Sequence, residues 1–472
     1  MLPPIPCSSC RHLVVLLLAT LVAPLGCAWS RPHAGGAPAG AATAAEQAAN
    51  ASPPVVVSEG GLLTQRESAA VVDEAVQARH RERAAELVRA IQIATQAPLI
   101  AGNHSRLLLD GPATYRAMFD AVRAARHHVH VETYIFDDDE VGQRFAQILL
   151  EKRSQGVTVR VIYDAIGSIT SDDEFFGGLA VQGIEIAAFR PLHPATLWRI
   201  NNRDHRKLVI VDGRVAFTGG INISDTYASG SSSRPGPEKG RDSGWRDTQI
   251  EVRGPVVKSL QSIFMETWRR LGKNAEPSPQ LFPPLEGSGE ELVQVMASDG
   301  GDSNEFRIHD AYMTAIRNAR ERIWITQAYF APTEALRAAL AAAVARGVDV
   351  RIIVPGFTDS GLIFHASRSS YEELLRAKVQ LYEYTEALLH SKTAVIDSVW
   401  STVGSCNIDP RSFAHNNELN VAVVGHEFAQ AMEAVFRSDL KHTRRVDLAT
   451  WEKRPMSARM KEFFSSLFSY WL

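Results

Sequence analysis

Two histidine–lysine pairs are the residues of this sequence best suited to chemistry. His205-x-Lys207 and His390-x-Lys392 each place a lysine two positions after a histidine. Alternate residues of an extended segment share one face, so both side chains of each pair are expected to point the same way. A neutral imidazole beside an ammonium group suits an anionic substrate such as a phosphate. One such pair alone is weak evidence, because most are ordinary surface polar residues, and it is the second copy that strengthens the prediction.

Both pairs belong to a longer pattern that occurs twice in the chain. The same intervals lead from each histidine to an aspartate and then to an asparagine, namely Asp212 and Asn222 in the first copy and Asp397 and Asn407 in the second. An apolar run typical of a buried strand separates lysine from aspartate in each copy. Such matched spacing is very improbable by chance, so the pattern indicates an internal duplication.

The duplicated HxKxxxxD sequence, followed by GGxN or GSxN, resembles the signature of the phospholipase D superfamily. Longer segments, among them RDHRK, GGINISDTY, WRDTQIEVRGP and VGSCNIDPRSF, are similar to the bacterial cardiolipin synthase branch and particularly to its type B enzymes. The resemblance extends from Asn103 to Leu472. It implies an α/β fold with two tandem α/β/α sandwich domains, related by pseudo-twofold symmetry and sharing one active site.

The resemblance also implies a function. The enzyme would transfer a phosphatidyl group to phosphatidylglycerol, making cardiolipin through a phosphohistidine without a metal or other cofactor. Attack by His205 and proton donation by His390 are implied by the family, because sequence symmetry alone does not distinguish the two. Hydrolysis to phosphatidic acid, a metal-independent nuclease and a non-catalytic lipid-binding protein are the alternatives. Phospholipids and a membrane surface are the expected partners, nucleic acid is not, and the oligomeric state stays open.

The remaining residues of the motifs divide into two groups. Side chains suited to donate hydrogen bonds to phosphate oxygens are Lys207, Lys392, Asn222 and Asn407. The acid that orients a histidine in the superfamily maps onto Asp247 and Glu418. Asp212 and Asp397 end their strands far from their own histidines and are expected to be structural. The other motif positions, with Ser405 also a candidate phosphate ligand, are Gly219, Gly220, Gly404 and Ser405.

Composition bounds the class of protein. The chain has 472 residues, of which 45% are hydrophobic and 22% charged, as in globular proteins. A net charge of −3 gives no basic footprint for nucleic acid. Cys7-x-x-Cys10 has no second pair, and the cluster of His127, His128 and His130 has no further ligand at fixed spacing, so no metal site is expected.

The chain divides into six segments. Residues 1–30 contain an apolar run that predicts a signal peptide, a membrane anchor, or a lipoprotein anchor at Cys27. All three would export the chain, to a membrane-associated position facing the periplasm. The other segments are an Ala/Gly/Pro-rich linker over 31–60, a first domain with a helical lead-in over 61–275, a linker over 276–290, a second domain over 291–455 and an amphipathic helix over 456–472.

Each domain shows alternating helix and strand patterns. Helices are predicted at 115–125, 141–152 and 175–181, with strands at 129–136 and 157–163; the second half repeats them as helices at 308–319, 333–345 and 371–377 and strands at 323–330 and 348–354. A polar loop over 225–245 interrupts the first half, as a lid or as a surface insertion. The C-terminal helix places its aromatic residues on one face, which suits either a membrane interface or packing on its own domain.

Overall fold

The computed structural model describes residues 54–76, 81–191, 201–231, 244–301, 306–358 and 360–468. The predicted N-terminal targeting segment and most of the predicted linker lie outside the described residues, as does most of the 225–245 loop. The last four residues of the predicted C-terminal helix also lie outside them.

Strands and helices alternate along both halves of the chain. The strands, in chain order, are β1 (Val56–Ser58), β2 (Gly61–Leu62), β3 (Leu99–Leu109), β4 (His128–Thr133), β5 (Thr158–Asp164), β6 (Glu185–Phe189), β7 (Lys207–Val211), β8 (Val215–Gly219), β9 (Trp245–Arg246), β10 (Thr248–Arg253), β11 (Glu291–Asp299), β12 (Arg322–Gln327), β13 (Asp349–Pro355), β14 (Gln380–Tyr384), β15 (Leu388–Leu389), β16 (Lys392–Ile396), β17 (Trp400–Gly404), β18 (Asn417–Val424) and β19 (Thr443–Arg445). The helices are α1 (Gln65–Val76), α2 (Arg81–Thr95), α3 (Asp110–Arg123), α4 (Glu140–Ser154), α5 (Asp173–Val181), α6 (Val257–Arg270), α7 (Arg307–Asn318), α8 (Glu334–Ala345), α9 (Gly361–Ser369), α10 (Tyr371–Arg376), α11 (Pro410–Ala414), α12 (His426–Leu440), α13 (Leu448–Glu452) and α14 (Met456–Ser466).

The same sheet is built twice. In the first half the strand order is β3-β10-β8-β7-β4-β5-β6, with β4, β5 and β6 parallel. In the second half it is β11-β18-β17-β16-β12-β13-β14, with β12, β13 and β14 parallel. Strands β3 and β11 pair antiparallel and join the halves into one sheet. This arrangement confirms the predicted α/β class and the duplicated domain.

Helices cover both faces of the sheet. Helices α6 and α12 pack into one apolar core to which both halves contribute, with Phe264 and Trp268 on α6 and Met432 and Phe436 on α12. The other helices of the first half, α3 to α5, pack with its strands in a second core. Helices α1, α2, α7, α8 and α10 contribute to a third, built on the second half. The core that contains α6 and α12 is shared by both halves, and removing its apolar surface from water contributes most of the free energy that holds the halves together.

The predicted helices and strands of both halves are present with shifted ends. Helix α3 begins at Asp110, before the apolar residues on which the prediction rested. Helix α9 was not predicted, because Gly361, His365 and two serines give it a weak helical signal. Strand β1 lies within the predicted linker, where Val56 and Val57 pair with β3. No helix in the described part of the chain is both long and apolar enough to cross a membrane.

Candidate active site

Each motif histidine is held by an acid from the opposite half of the chain. His205 Nδ1 lies 3.0 Å from both carboxylate oxygens of Glu418. His390 Nδ1 lies 2.7 Å from Asp247 Oδ2. All four side chains are buried. Because Nδ1 is engaged on both rings, Nε2 is the nitrogen that each imidazole has left for a substrate.

Backbone pairing explains why the contacts cross. The His205 N–H donates to Asn417 O at 3.0 Å, and the His390 N–H donates to Arg246 O at 2.8 Å. Thus the residue before each acid holds the backbone of the histidine from the other half. The two-residue strands β9 and β15 run parallel beside each other, and Asp204 forms a matching parallel bridge with Asn417. The two histidine–acid pairs are therefore related by the pseudo-twofold symmetry of the fold.

The two motif lysines begin equivalent strands at the same edge of the sheet. Lys207 is paired with Thr133 at the end of β4, and Lys392 with Gln327 at the end of β12. The Lys207 Nζ donates to His205 O at 2.7 Å, and Lys392 Nζ donates to His390 O. Burial lowers the pKa of Lys207 to about 7, although Glu418 opposes the shift. Each lysine thus contacts the backbone carbonyl of its own motif histidine.

The electrostatics favour neutral imidazoles in the free enzyme. Burial, followed by Lys207 and Lys392, lowers the pKa of His205 well below its usual value. Burial and Lys392 lower the pKa of His390 to about 4, against the opposing effect of Asp247. An anionic phosphodiester between the rings would offset the lysine charges and favour protonation of one ring.

The pKa values of the two acids are shifted in opposite directions. Burial raises the pKa of Glu418 to about 7, despite the lysines and the hydrogen bonds from Ser405 and Asn416. For Asp247, burial acts in the same upward direction but His390 and Lys392 outweigh it, so the pKa is lowered. The backbone around the two histidine–acid pairs is symmetric, but the pKa shifts of the two acids are not.

The motif asparagines have different surroundings. Asn222 Nδ2 donates to Tyr227 Oη at 2.8 Å, and Asn222 Oδ1 accepts from the Ile135 N–H at 3.1 Å. Tyr227 Oη in turn lies 3.4 Å from His390 Nδ1. The buried Oδ1 of Asn407 has no hydrogen-bond partner within the described residues. Asn222 therefore supports the His390 environment in this structure, a connection that the motif did not predict.

Aromatic residues also surround the histidines, and they were not predicted, because they lie outside the polar positions of the repeated motif. The rings of Trp245 and Tyr227 lie 5.0 Å and 5.7 Å from the His390 ring. Tyr134 lies 5.0 Å from the His205 ring, edge-on, and its ring also faces Lys207 Nζ at 5.2 Å. Tyr134 directly follows β4, a position that could have pointed to the site.

Asp212 and Asp397 lie at the far ends of β7 and β16 and do not meet the histidines. Asp212 accepts backbone N–H groups of Arg126, His127 and His128 at 2.7–2.9 Å. Asp397 accepts the equivalent N–H groups of residues 320–322 at 2.8–3.0 Å. Each carboxylate therefore organises the turn that leads into β4 or β12, at the edge opposite the lysines.

The small motif residues make room for the acids. A Cβ at Gly220 would lie 2.1 Å from Asp247 Oδ1, so the Asp247 carboxylate fits only against a bare Cα. The equivalent residue in the second half is Ser405, and its hydroxyl donates to Glu418 Oε2. At Gly219 and Gly404 a Cβ would also clash with the neighbouring strand. The aspartate, Asp247, thus packs against a glycine, whereas the glutamate, Glu418, accepts a hydrogen bond from a serine.

In the histidine cluster ahead of the first motif, His128 and His130 lie on β4 and His127 lies directly before it. His130 contacts Gln261 and Arg160, while Glu132 on the same strand faces Arg206. Burial lowers the pKa of His128 to about 4 and that of His130 well below its usual value. No three histidine, cysteine or acidic residues of the described ranges come together as a metal site.

Similarity to known proteins agrees with the geometry. A family model described as "Cardiolipin synthase, PLD-like domain" matches residues 118–231 and 312–440. The chain is 36% identical to the cardiolipin synthase of Geobacillus thermodenitrificans over 79% of this chain and 73% of that protein. It is also 36% identical to cardiolipin synthase 2 of Bacillus anthracis, over 76% of this chain and 68% of that protein.

The fold is shared with solved structures at lower identity. The crystal structure of phosphatidylserine synthase from Haemophilus influenzae matches with a TM-score of 0.60, at 14% identity over 82% of this chain and 100% of that chain. The family model matches each half of the chain once, in agreement with the duplicated domain. The chain belongs to the cardiolipin synthase family of phospholipase D-like enzymes.

Proposed function

We propose that this enzyme makes cardiolipin by transferring a phosphatidyl group from one phospholipid to the headgroup hydroxyl of phosphatidylglycerol, without a metal. The observation that carries the proposal is the pair of imidazoles whose Nδ1 atoms are both held by buried carboxylates. This leaves two nitrogens, one to attack phosphorus and one to move a proton. The similarity to cardiolipin synthases supports the choice of substrate.

In the first step, Nε2 of His205 attacks phosphorus and the bond from phosphorus to the headgroup oxygen breaks. His390, protonated once the anionic substrate is bound, gives its Nε2 proton to the leaving alkoxide. The products are a phosphatidyl-histidine and a free alcohol, which is glycerol if the donor is phosphatidylglycerol. Glu418 stabilises the positive charge that develops on the His205 ring, as an acid does for a catalytic histidine.

In the second step, the terminal hydroxyl of a phosphatidylglycerol attacks the phosphohistidine. His390, now neutral, takes the hydroxyl proton, and the bond between phosphorus and His205 breaks to release cardiolipin. Water in place of the lipid alcohol would give phosphatidic acid by the same route. Lys207 and Lys392 stabilise the phosphate oxygens in both steps, where a positioned donor is worth about 3–4 kcal/mol.

The experiment combines product analysis with a leaving-group test. Purified full-length enzyme is incubated with phosphatidylglycerol in EDTA, and we expect cardiolipin and glycerol. Phosphatidic acid without cardiolipin would replace the synthase proposal by a hydrolase. His205→Ala should be inactive on every substrate. His390→Ala should be inactive on phosphatidylglycerol but should release nitrophenol once per enzyme from a nitrophenyl phosphodiester lipid, because that leaving group needs no acid.

The opposite result, with a nitrophenol burst in His205→Ala and none in His390→Ala, would exchange the two roles. Loss of activity in EDTA that returns with a divalent cation would refute metal independence. After reaction with the labelled nitrophenyl lipid, His390→Ala denatured at mildly alkaline pH should also carry labelled phosphatidyl group at His205, because acid would cleave the phosphorus–nitrogen bond.

We further propose that the enzyme is membrane-associated and faces the periplasm, through the apolar segment within residues 1–30. This rests on the targeting pattern of the sequence and on a lipid substrate. Cell fractionation with protease treatment of spheroplasts tests it, since a periplasmic enzyme would be digested while a cytoplasmic marker protein survived.

A further inference from the structure

The C-terminal helix α14 is attached to the second half through its polar face. Glu462 is only 2% exposed and faces two arginines, Arg454 at 2.9 Å and Arg368 at 3.7 Å. Ser465 lies on the same buried face. The helix packs along α9. A buried, doubly paired carboxylate fixes the orientation of the helix about its own axis.

This orientation leaves the apolar face of α14 in solvent. Six large apolar side chains are 39–69% exposed, and they are Met456, Met460, Phe463, Phe464, Leu467 and Phe468. They are half of the twelve large hydrophobic residues that the described part of the chain exposes. Helices of globular proteins normally bury their apolar face and expose the polar one. Helix α14 does the reverse, and an apolar surface of this kind marks a binding site.

We propose that the apolar face of α14 docks onto a lipid bilayer with anionic headgroups, seating the enzyme on the membrane that holds its substrate. The role of this docking in bringing the enzyme to its substrate rests on the proposed function, whereas the exposed apolar face of α14 is observed independently of it. Aromatic and long apolar side chains on an in-plane helix are suited to the boundary between headgroups and acyl chains.

The charged residues of α14 favour an anionic lipid surface as the partner of its apolar face. The exposed charged residues of α14 are Arg459 and Lys461; exposed Glu452 and Lys453 lie just before the helix, and Glu452 is paired with Arg376. The acid within the helix, Glu462, is buried and paired. Cations beside an apolar face are attracted to anionic lipid. A second copy of the chain meeting this face would bring like charges together, which disfavours self-association.

The position of α14 agrees with access to the active site. Strands β12 and β13 are parallel, so Pro355 ends β13 at the edge of the sheet where Lys392 begins β16. Helix α9 follows β13 at that edge, and α14 packs on α9. Between the two helices lies a groove of about 510 Å³, and its lining combines the apolar side chains of Leu362, Met460 and Phe464 with polar ones. The membrane-facing surface and the catalytic histidines thus share one edge.

An environment-sensitive fluorophore on full-length protein tests the proposal directly. Phe464→Cys carries the dye on the apolar face, and Val181→Cys carries it on an exposed apolar position at the end of α5, on the opposite edge of the sheet. The described free cysteine, Cys406, is buried, and labelled parent protein measures the background. Vesicles of phosphatidylglycerol with phosphatidylcholine, and of phosphatidylcholine alone, are added to each.

We expect a blue shift and an emission increase of about twofold or more at position 464 with anionic vesicles, a smaller one with neutral vesicles, and none at position 181. No change at 464, an equal change at both positions, or a change at 464 that grows with protein concentration without vesicles would overturn the proposal. The readout does not need catalysis, so His205→Ala carrying the dye at 464 should respond equally even if the proposed reaction is wrong.

A second variant links docking to turnover. Phe463→Ser with Phe464→Ser removes two exposed rings and should lower the rate on phosphatidylglycerol vesicles about tenfold or more, while the rate on detergent-dispersed lipid stays within about twofold. Phe282→Ser, which replaces an exposed phenylalanine outside α14, is the matched control and should change neither rate. Equal rates of the double variant and the control on vesicles would also overturn the proposal.

Discussion

His205 and Glu418 come from opposite halves of the chain, yet His205 Nδ1 lies 3.0 Å from both carboxylate oxygens of Glu418. His390 and Asp247 form the reciprocal contact. Neither half therefore contains a complete histidine–acid pair. The active site exists only when the halves are docked, and the shared core around α6 and α12 supplies the apolar contact that docks them.

Removing the charge of either acid should impair catalysis without unfolding the protein. Asp247→Asn and Glu418→Gln keep the shape of the side chain, but an amide can present an N–H to Nδ1 and favour the wrong tautomer. We expect kcat to fall by about 10²- to 10⁴-fold in each variant. Single-turnover rates on labelled phosphatidylglycerol measure the effect.

The control for both variants is Glu373→Gln, which neutralises an acid of the second half whose side chain is 56% exposed. It should retain the parent rate. Thermal melts of all three proteins separate catalytic loss from unfolding. Parent-like rates in either acid variant would show that the buried carboxylate does not control its histidine.

Asp212 should matter for stability and little for chemistry. Its carboxylate accepts three backbone N–H groups ahead of β4. Asp212→Ala leaves those donors without their charged acceptor, and we expect a loss of about 2–4 kcal/mol in the free energy of unfolding. Asp397→Ala removes the equivalent contacts and should cost a similar amount. Denaturant unfolding measures the loss, and a large fall in kcat per folded molecule would instead place Asp212 in the reaction.

Much of this site was predictable because spacing within one strand is a local property. The intervals around His205 and His390 predicted two copies of one arrangement, and the strand length separated Asp212 from the histidines. The acids Asp247 and Glu418 were recognisable only through resemblance to the superfamily. Which acid holds which histidine depends on how the two halves dock. Each contact joins residues of different halves, so the local sequence of one half does not predict it.

Other features depended on long-range packing as well. Tyr227 meets Asn222 and His390 because the turn after β8 folds back, and no motif spacing specified that contact. The amphipathic pattern of α14 predicted a helix but left its buried face open. The ion pairs of Glu462 with Arg454 and Arg368 decided it; Arg454 lies just before the helix, but Arg368 comes from α9 and is distant in the sequence.

Exchanging the small residues beside the two acids, Gly220 beside Asp247 and Ser405 beside Glu418, should lower the rate to different extents. In Gly220→Ser the new Cβ would lie 2.1 Å from Asp247 Oδ1, so the carboxylate must move away from His390. We expect kcat to fall about 100-fold or more, since displacement of an orienting acid disturbs the tautomer and position of its ring. Ser405→Gly removes one hydrogen bond to Glu418 and leaves space, and we expect about a 3- to 10-fold effect. Steady-state kinetics test the order, and equal effects would mean that the Asp247 carboxylate tolerates the crowding.

The pH dependence of kcat/KM should be bell-shaped and centred near neutrality. Burial raises the pKa of Glu418 to about 7, so the carboxylate that holds His205 gains a proton as the pH falls through this value. Burial lowers the pKa of Lys207 to about 7, so a cation for the phosphate is lost as the pH rises through it. Both changes lower the rate, one on each side of about pH 7.

Two variants assign the limbs of the bell. Glu418→Gln has no proton to gain, so its lower rate should no longer fall on the acid side. Lys207→Arg keeps its charge at all relevant pH values, and its rate should no longer fall on the alkaline side. Measuring kcat/KM on detergent-dispersed phosphatidylglycerol from about pH 5 to 9, at constant ionic strength, avoids pH effects on vesicle binding. If the fall in rate at acid pH persists in Glu418→Gln, a group other than Glu418 causes it. Glu418 would then ionise well below neutral pH.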